Sequence, residues 1–319
     1  MMRLGILIPT RGVVMQSARR PPVEACWAMA RAADEAGFDA VWVGDSVVAK
    51  PRLEALTTLA YLAAITSRVR LGTAVLLPSL RQPVIMAQLI ANVDQISRGR
   101  VILGVGVGWS LPSAELEWAA CGMDHKRRAR RLEEQIALWR KLWSGAPVSE
   151  EGAGYVLSEH TIGPLPWNPE GPPVWITAGN RGEIYPAQIE RFGRLGDGIM
   201  TTYIEPEECI RLRELGAEAL ERHGRPNLDF PLAVYTTVRL DDEVAAAERV
   251  THEFLATYYG GSRPLQDRGI MGLGPAEAVI AALKRYETVG VTDLCIRFSG
   301  EDQHEQLERF SREVLPAFK

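Results

Sequence analysis

The sequence predicts an α/β fold in which parallel strands close into a (β/α)8 barrel. Eight short apolar runs recur along the 319 residues, and a segment with apolar residues at helical spacing follows each run. The runs are almost continuously apolar, which is typical of parallel strands that helices cover on the outside. Eight such units favour a closed barrel over an open sheet. We find no stretch with the composition of a linker, so we expect a single domain over residues 1–319.

The strands follow from short runs rich in Val, Ile and Leu that turn residues close. The first run, "RLGILI", ends at Pro9, and the others end at similar breaks. The predicted strands are 3–8, 39–44, 69–77, 100–107, 173–178, 197–202, 230–240 and 292–298.

The helices follow from apolar residues at spacings of three and four. The first one stops at Gly37, a residue type that commonly ends helices. The predicted helices are 23–37, 53–66, 84–96, 125–143, 184–195, 206–223, 243–259, 275–288 and 303–315. Two excursions interrupt the pattern, at 148–172 after the fourth helix and at 260–274 near the seventh. The first is rich in Gly and Pro, and we expect it to contain a small hairpin.

Composition excludes several function classes. The net charge is −4, so the whole molecule offers no basic field for nucleic acid or for an anionic membrane. The four cysteines are far apart and form no CxxC pair, which argues against a disulfide framework or a structural zinc site. We therefore expect a cytoplasmic protein with buried thiols. The apolar run at the N-terminus is too short for a signal peptide or a membrane span.

Architecture points to the residues that follow each strand, because the active site of such a barrel lies at the carboxyl ends of its strands. These residues are Pro9, Thr10, Asp45, Ser46, Leu77, Pro78, Gly108, Trp109, 178–181, Thr202, Tyr203, Arg239, Leu240, Phe298 and Ser299. No histidine lies at a predicted strand end, and there is no GxSxG or HExxH motif. Asp45 is the best placed acid, although it could instead cap the following loop. A mouth with few acids and bases suits a cofactor that carries the difficult chemistry itself.

The stretch "GRVILGVGVGW" (99–109) has glycine at every second position near the end of its strand. Side chains alternate across a strand, so Gly104, Gly106 and Gly108 share one bare face. Either a flat ligand or a bulky side chain from a neighbouring strand must fill the space beside them. The place of this run at a predicted barrel mouth favours a ligand. It is neither a GxGxxG fingerprint nor a Walker loop.

Two further segments could bind an anion. "ITAGNRGE" (176–183) leads from a strand into a helix, where free backbone amides attract phosphate, although a tight turn with an Asn cap explains it equally well. "DHKRRARRLEE" (124–134) places five positive charges at a helix start, against the helix dipole. Most of these charges fit a solvated face, while Arg128 or Arg131 could point at a phosphate.

Four blocks in order resemble the luciferase-like monooxygenase family. They are "AADEAGFDAVWVGDS" (32–46), residues 69–109, "RRARRLEEQIALWRKLWSG" (127–145) and 173–199, and "GPAEAVIAALKRYETVGVTDLCIRF" (274–298) follows as a closing element. The resemblance implies a TIM barrel that uses a reduced flavin, either FMN or the 5-deazaflavin coenzyme F420.

Carried over residue by residue, the resemblance assigns a cofactor site. Thr73, Ala74 and Val75 would hold the ring, and the Ala74–Val75 peptide is cis in many members. Gly106, Val107 and Gly108 would line the cofactor, and Arg128 matches an arginine often found at the start of the fourth helix. The phosphate would be bound by Thr177, Ala178, Gly179, Asn180 and Arg181. The substrate pocket would include Thr10, Trp109 and Tyr203.

The chain departs from the family at two places. Many relatives have Asp-His after the second strand, where this chain has Asp45 and Ser46, so reactions that need that histidine are disfavoured. These two residues are our candidates for a catalytic role. Several deazaflavin-dependent dehydrogenases have an acid just past the glycine strand, where this chain has Trp109. We therefore expect no dehydrogenation of sugar phosphates.

The resemblance implies an oxidoreductase. Our first hypothesis is a monooxygenase that takes reduced FMN from a separate reductase and adds an oxygen atom to a small organic substrate. The alternatives are an enzyme that exchanges hydride with F420, a flavin-binding barrel without turnover, and a flavin-free barrel enzyme acting on phosphorylated metabolites. By resemblance we also expect homodimers or larger homo-oligomers, with apolar surface supplied by the helices 53–66 and 84–96.

Overall fold

The structure confirms the predicted barrel. The computed structural model describes residues 1–108, 112–180, 183–227, 229–260 and 270–319. The strands in chain order are β1 (Arg3–Leu7), β2 (Ala40–Val43), β3 (Arg70–Leu76), β4 (Val101–Val105), β5 (Val148–Gly152), β6 (Tyr155–His160), β7 (Val174–Asn180), β8 (Gly198–Thr202), β9 (Leu232–Leu240), β10 (Ile270–Gly274) and β11 (Asp293–Phe298). Eight of these described strands close in parallel in the order β1, β2, β3, β4, β7, β8, β9 and β11, and β11 pairs with β1.

Helices alternate with these strands on the outside of the barrel. They are α1 (Thr10–Gln16), α2 (Glu24–Ala36), α3 (Ala55–Ile65), α4 (Pro83–Ser97), α5 (Pro112–Ala120), α6 (Arg128–Trp143), α7 (Pro186–Leu195), α8 (Pro206–Arg222), α9 (Val244–Tyr259), α10 (Ala276–Thr288) and α11 (Gln303–Glu313). Sequence analysis did not predict α1 and α5, because both are short and neither has a sustained apolar stripe. Among the described helices, none is long and apolar enough to cross a membrane.

The two excursions differ in structure. The first contains the expected hairpin, in which β5 and β6 pair in antiparallel fashion. In the second, Gly260 caps α9, residues 261–269 lie outside the described residues, and residues 270–274 form β10, which pairs with β9 outside the barrel. Sequence analysis did not predict β10, because its two glycines in five residues are typical of a loop.

Two apolar layers fill the molecule. Along β4, Leu103 and Val105 pack with the helices, while Ile102 belongs to a separate cluster inside the barrel. In that inner cluster the rings of Trp42 and Trp175 lie 5.6 Å apart. The barrel interior is therefore occupied by side chains, as in other (β/α)8 barrels, and space for a ligand lies above it at the carboxyl ends of the strands.

A buried ion network lies at the amino-terminal end of the barrel. Asp293, at the start of β11, accepts hydrogen bonds from Arg3 Nη2 at 2.6 Å and from Arg70 Nη2 at 2.7 Å. Burial alone would raise the pKa of Asp293, but these two arginines outweigh it and lower the pKa below its usual range. Each buried charge here has a partner.

Apolar side chains are exposed on α4, at Ile85, Leu89 and Ile96. This helix is one of the two that sequence analysis proposed as an association surface. The association of copies of the chain stays a prediction.

Candidate active site

A cavity of about 270 Å³ lies at the carboxyl ends of the barrel strands. Its floor is apolar and includes Leu7 from β1 and Met200 from β8. A polar part of the lining, called the polar side below, carries Lys50, Tyr203 and Tyr259, and Tyr259 contacts the other two. A concave site with an apolar floor and a few converging polar groups is typical of a ligand site.

The end of β3 supplies one wall of the cavity. The Ala74–Val75 peptide is cis, as the family resemblance implies, and both residues line the cavity. The pairing between β3 and β4 shifts between Thr73 and Leu76, which is the signature of a bulge at this place. Thr73 is buried and does not line the cavity, since its Oγ1 donates a 2.8 Å hydrogen bond to the Gly104 carbonyl.

The glycines of β4 and of the residues that follow it differ in what lies beside them: protein backbone at Gly104 and a side chain of the cavity wall at Gly106. A Cβ at Gly104 would lie 2.2 Å from the Thr73 carbonyl oxygen, so protein backbone already occupies that space. A Cβ at Gly106 would lie 2.9 Å from Val75 Cγ2. Gly106, Val107 and Gly108 line the cavity, whereas Gly104 does not. The expectation of one continuous bare face for a ligand is therefore wrong at Gly104, where the bulge of β3 fills the gap.

The end of β7 contributes Thr177 and Gly179 to the cavity wall. The Gly179 amide, one of the donors expected for a phosphate, donates a 3.0 Å hydrogen bond to Gln188 Oε1. Ala178 is fully buried and does not line the cavity. Asn180 ends β7, and Arg181 lies outside the described residues.

Asp45 lies in the cavity wall, and its carboxylate forms an ion pair. Arg81 donates to it through both terminal nitrogens, at 2.6 and 2.8 Å, and the Leu77 amide donates at 2.9 Å. The carboxylate thus ties the end of β2 to the end of β3. This arrangement corresponds to the loop-capping alternative of the sequence analysis.

Ser46 and Glu117 hold the loop that follows β2. Glu117 Oε1 accepts hydrogen bonds from Ser46 Oγ at 2.7 Å and from the amides of residues 47, 48 and 49 at 2.6, 2.8 and 3.1 Å. The Lys50 amide in turn donates to Ser46 Oγ at 2.9 Å. Burial of Glu117 opposes its charge, yet these hydrogen bonds outweigh burial and lower its pKa. Ser46 therefore positions the loop that brings Lys50 to the cavity.

Two other predicted site residues, Arg128 and Thr10, are described but do not line the main cavity. Arg128 begins α6 and does not line the cavity, and its Nη1 donates to the His125 carbonyl at 3.0 Å. Thr10 is buried at the start of α1, beside a smaller void rather than in the main cavity. Trp109 lies outside the described residues.

Tyr203 lines the cavity as predicted, and its hydroxyl donates a 2.9 Å hydrogen bond to Tyr259. Arg297 of β11 donates to the same Tyr259 oxygen at 3.1 Å. Sequence analysis missed both Tyr259 and Arg297. One signal for Arg297 was available, because it is a charged residue inside the otherwise apolar strand "LCIRF".

The model of the luciferase-like monooxygenase family matches residues 2–293. The chain belongs to this family. Relatives that are 30% identical or more over 90% of the chain are F420-dependent dehydrogenases, and the chain is an oxidoreductase of this superfamily.

Relatives and solved structures of this family agree with the fold. The chain is 30% identical to the F420-dependent glucose-6-phosphate dehydrogenase of Kineococcus radiotolerans, with 90% of each chain covered. A monooxygenase from Streptomyces bottropensis superposes with a TM-score of 0.82 at 23% identity, covering 100% of each chain. An F420-dependent secondary alcohol dehydrogenase, in complex with an F420-acetone adduct, gives a TM-score of 0.80 at 20% identity, covering 100% of this chain and 99% of the other. These structural likenesses show the luciferase-like fold.

Proposed function

We propose that this protein binds the deazaflavin F420 and exchanges a hydride between it and a small substrate with a hydroxyl or carbonyl group. The observation that carries the proposal is the similarity to F420-dependent enzymes along 90% of the chain. The cavity supports it, because its polar side offers hydroxyl groups to a substrate.

The residues of the cavity fit a planar ring. Its volume of about 270 Å³ is close to the lower end of the range for ligand pockets, roughly 300–1,000 Å³. Ala74, Val75 and Gly106 would hold the ring. The Trp118 ring also lines this wall, and within the described part of the chain its Nε1 is a buried donor without a hydrogen-bond partner. When bound, a deazaflavin supplies the acceptor or the donor of the hydride.

The polar side of the cavity favours hydride exchange over oxygen insertion. Oxidation of an alcohol releases a proton as well as a hydride, so a dehydrogenase needs a group that takes up this proton. Tyr203, Tyr259 and Lys50 line the cavity and supply groups that can exchange a proton. A site for a peroxyflavin instead needs surroundings that exclude water on all sides.

A monooxygenase that uses reduced FMN is the second candidate. The apolar floor formed by Leu7, Ala74, Val75 and Met200 favours it, since this floor would shield one side of a reduced flavin from water. Such an enzyme would need a separate flavin reductase as a partner.

Equilibrium binding distinguishes the two candidates. The purified protein is titrated with oxidised F420 and, separately, with FMN, and binding is followed by cofactor fluorescence and by the melting temperature. We expect F420 to bind at least about tenfold more tightly and to raise the melting temperature more, because a ligand of the native state stabilises it by mass action. Selective binding of FMN would overturn the proposal in favour of the monooxygenase. Binding of neither would reject both.

A further inference from the structure

The hydroxyl oxygen of Tyr259 receives two hydrogen bonds at the edge of the cavity. Tyr203 Oη donates one at 2.9 Å, and Arg297 Nη1 donates the other at 3.1 Å. The Lys50 ammonium lies 4.6 Å from the centre of the same ring. Two donors at the phenol oxygen and a second cation over the ring favour the ionised form of Tyr259.

Arg297 brings a buried positive charge to this place. It is only 3% exposed, and its Nε and Nη2 donate to Thr237 Oγ1 at 3.2 and 2.7 Å. The other groups around it are aromatic, with the rings of Tyr258 and Tyr259 centred 4.9 and 5.4 Å from its guanidinium. Across the described residues no carboxylate forms an ion pair with it. A buried cation without an anion is costly, so a phenolate beside it is stabilised.

The balance of these effects favours ionisation of Tyr259 in particular. Burial opposes it, but the charge of Arg297 and the two donated hydrogen bonds outweigh burial and lower the pKa of Tyr259 to about 8. Tyr235 on β9 packs on the same guanidinium at 5.3 Å, and there burial dominates and raises the pKa well above its ordinary value. The two tyrosines therefore differ in the ease with which they lose a proton.

The backbone of Tyr203 adds an independent sign of function. Its φ is +57°, in the left-handed region that tyrosine rarely adopts. Such conformations cost free energy and concentrate at binding and catalytic sites. Here this backbone conformation occurs in the residue whose side chain reaches Tyr259 across the cavity edge.

We propose that Tyr259 is a catalytic residue that exchanges a proton with the substrate, and that Arg297 and Tyr203 are positioning residues for it. This proposal rests on the proposed function and specifies its substrate as a small alcohol or the matching ketone or aldehyde. In the oxidising direction the C–H bond of the carbinol carbon breaks and the hydride leaves to the oxidised deazaflavin. The C–O bond becomes double, and the hydroxyl proton passes to the Tyr259 oxygen. In the reverse direction Tyr259 returns that proton to the carbonyl oxygen.

The charged and titratable groups that face Tyr259 come from several elements. They are Lys50 from the loop after β2, Tyr203 after β8, Tyr235 of β9, Tyr258 of α9 and Arg297 of β11. The two buried carboxylates of the cavity wall are engaged elsewhere, Asp45 with Arg81 and Glu117 with backbone amides. The proton acceptor in this part of the described structure is therefore a phenol rather than a carboxylate.

A pH titration of the cofactor-free protein tests the proposal without any turnover. The near-ultraviolet absorbance of tyrosinate is followed from neutral to alkaline pH in the wild type and in Tyr259→Phe, Tyr258→Phe and Arg297→Met. We expect one tyrosine of the wild type to ionise at a pH of about 8. This step should disappear in Tyr259→Phe, persist in the matched neighbour Tyr258→Phe, and move up by about 1 pH unit or more in Arg297→Met.

The pH profile of F420 reduction, with propan-2-ol and with glucose 6-phosphate as probes, completes the test. We expect the wild-type rate to rise through the same pH and Tyr259→Phe to lose this rise. The proposal would be overturned, even if F420 binds, by a wild type in which no tyrosine ionises at a pH of about 8. It would also be overturned if this ionisation survived in Tyr259→Phe. If the step is present but F420 fails to bind, the proposed function fails while the assignment of the ionising group stands.

Discussion

The two ends of strand β11 each carry a buried charge, and the two charges differ in whether ion-pair partners surround them. Asp293 and Arg297 lie four residues apart on the inward face of this strand, and both are almost fully buried. Asp293, at the amino end, has two arginines as partners. Arg297, at the carboxyl end, has hydroxyl groups and aromatic rings around it. The charge of Asp293, at the amino-terminal end or base of the barrel, is compensated by ion pairs. The charge of Arg297, at the carboxyl-terminal end or mouth, faces a phenol and can act on that phenol or on a ligand.

This difference matches the division of labour in a (β/α)8 barrel. The amino-terminal end serves stability, and the carboxyl end carries the active site. A stability site gains most when each buried charge has a partner, whereas a reactive site benefits from a charge that shifts the pKa of a neighbour. Substitutions at the two ends should therefore change different properties.

The largest effect on stability is expected at the base. Asp293→Ala would leave Arg3 and Arg70 without their shared carboxylate and should lower the free energy of unfolding by about 3 kcal/mol. Urea unfolding measures this loss, and Asp293→Asn, which keeps the shape, should lose less. F420 affinity should be nearly unchanged in both. If Asp293→Ala left the free energy of unfolding unchanged, the amino-terminal end of the barrel would not depend on this ion network, and the contrast between the two ends of β11 would be wrong.

Glu117 tests whether a carboxylate at the mouth can also be structural. Glu117→Ala removes the acceptor of four hydrogen bonds and should cost about 2 kcal/mol. Because the pKa of Glu117 is lowered on folding, its contribution is complete above its ordinary pKa of 4.5 and is lost as the pH falls through the lowered value. The stability difference between wild type and Glu117→Ala, followed by thermal unfolding from pH 7 downwards, should thus shrink in acid. A difference that grows in acid would contradict this role.

Gly106→Ala should weaken binding of the ring with little loss of stability. The new Cβ would lie 2.9 Å from Val75 Cγ2 and displace that side chain in the cavity wall. We expect F420 affinity to fall about tenfold, equivalent to about 1.4 kcal/mol. Gly12→Ala is a matched control, since its Cβ would meet its nearest neighbour, Pro9, at 3.5 Å. Equal affinities for Gly106→Ala and Gly12→Ala would place the ring elsewhere.

The smallest effect on stability is expected at the mouth. Arg297→Met removes a buried charge that lacks a carboxylate partner among the described residues, so the free energy of unfolding should change by less than about 1 kcal/mol. Comparison with Asp293→Ala in the same urea series sharpens the contrast between the ends of β11. A loss as large as that of Asp293→Ala would show that Arg297 serves stability instead.

The sequence predicted the barrel because eight apolar runs leave little choice of topology. The family resemblance also implied a cofactor wall at Ala74, Val75 and Gly106–Gly108, and these residues line the cavity. The sequence could not predict that the Thr73 carbonyl of β3 occupies the space beside Gly104, because this contact depends on the bulge of β3. Tyr259 was missed because it is the last residue of a helix, and only the tertiary fold brings it to Tyr203 and Arg297.

A crystal structure of the protein with oxidised F420 tests the central claim most directly. The account predicts the deazaflavin ring in the cavity against the Ala74–Val75 peptide and Gly106, with the Tyr259 oxygen facing the space left for the substrate. A ring bound at another place, or a cavity that side chains fill when F420 is present, would contradict the account.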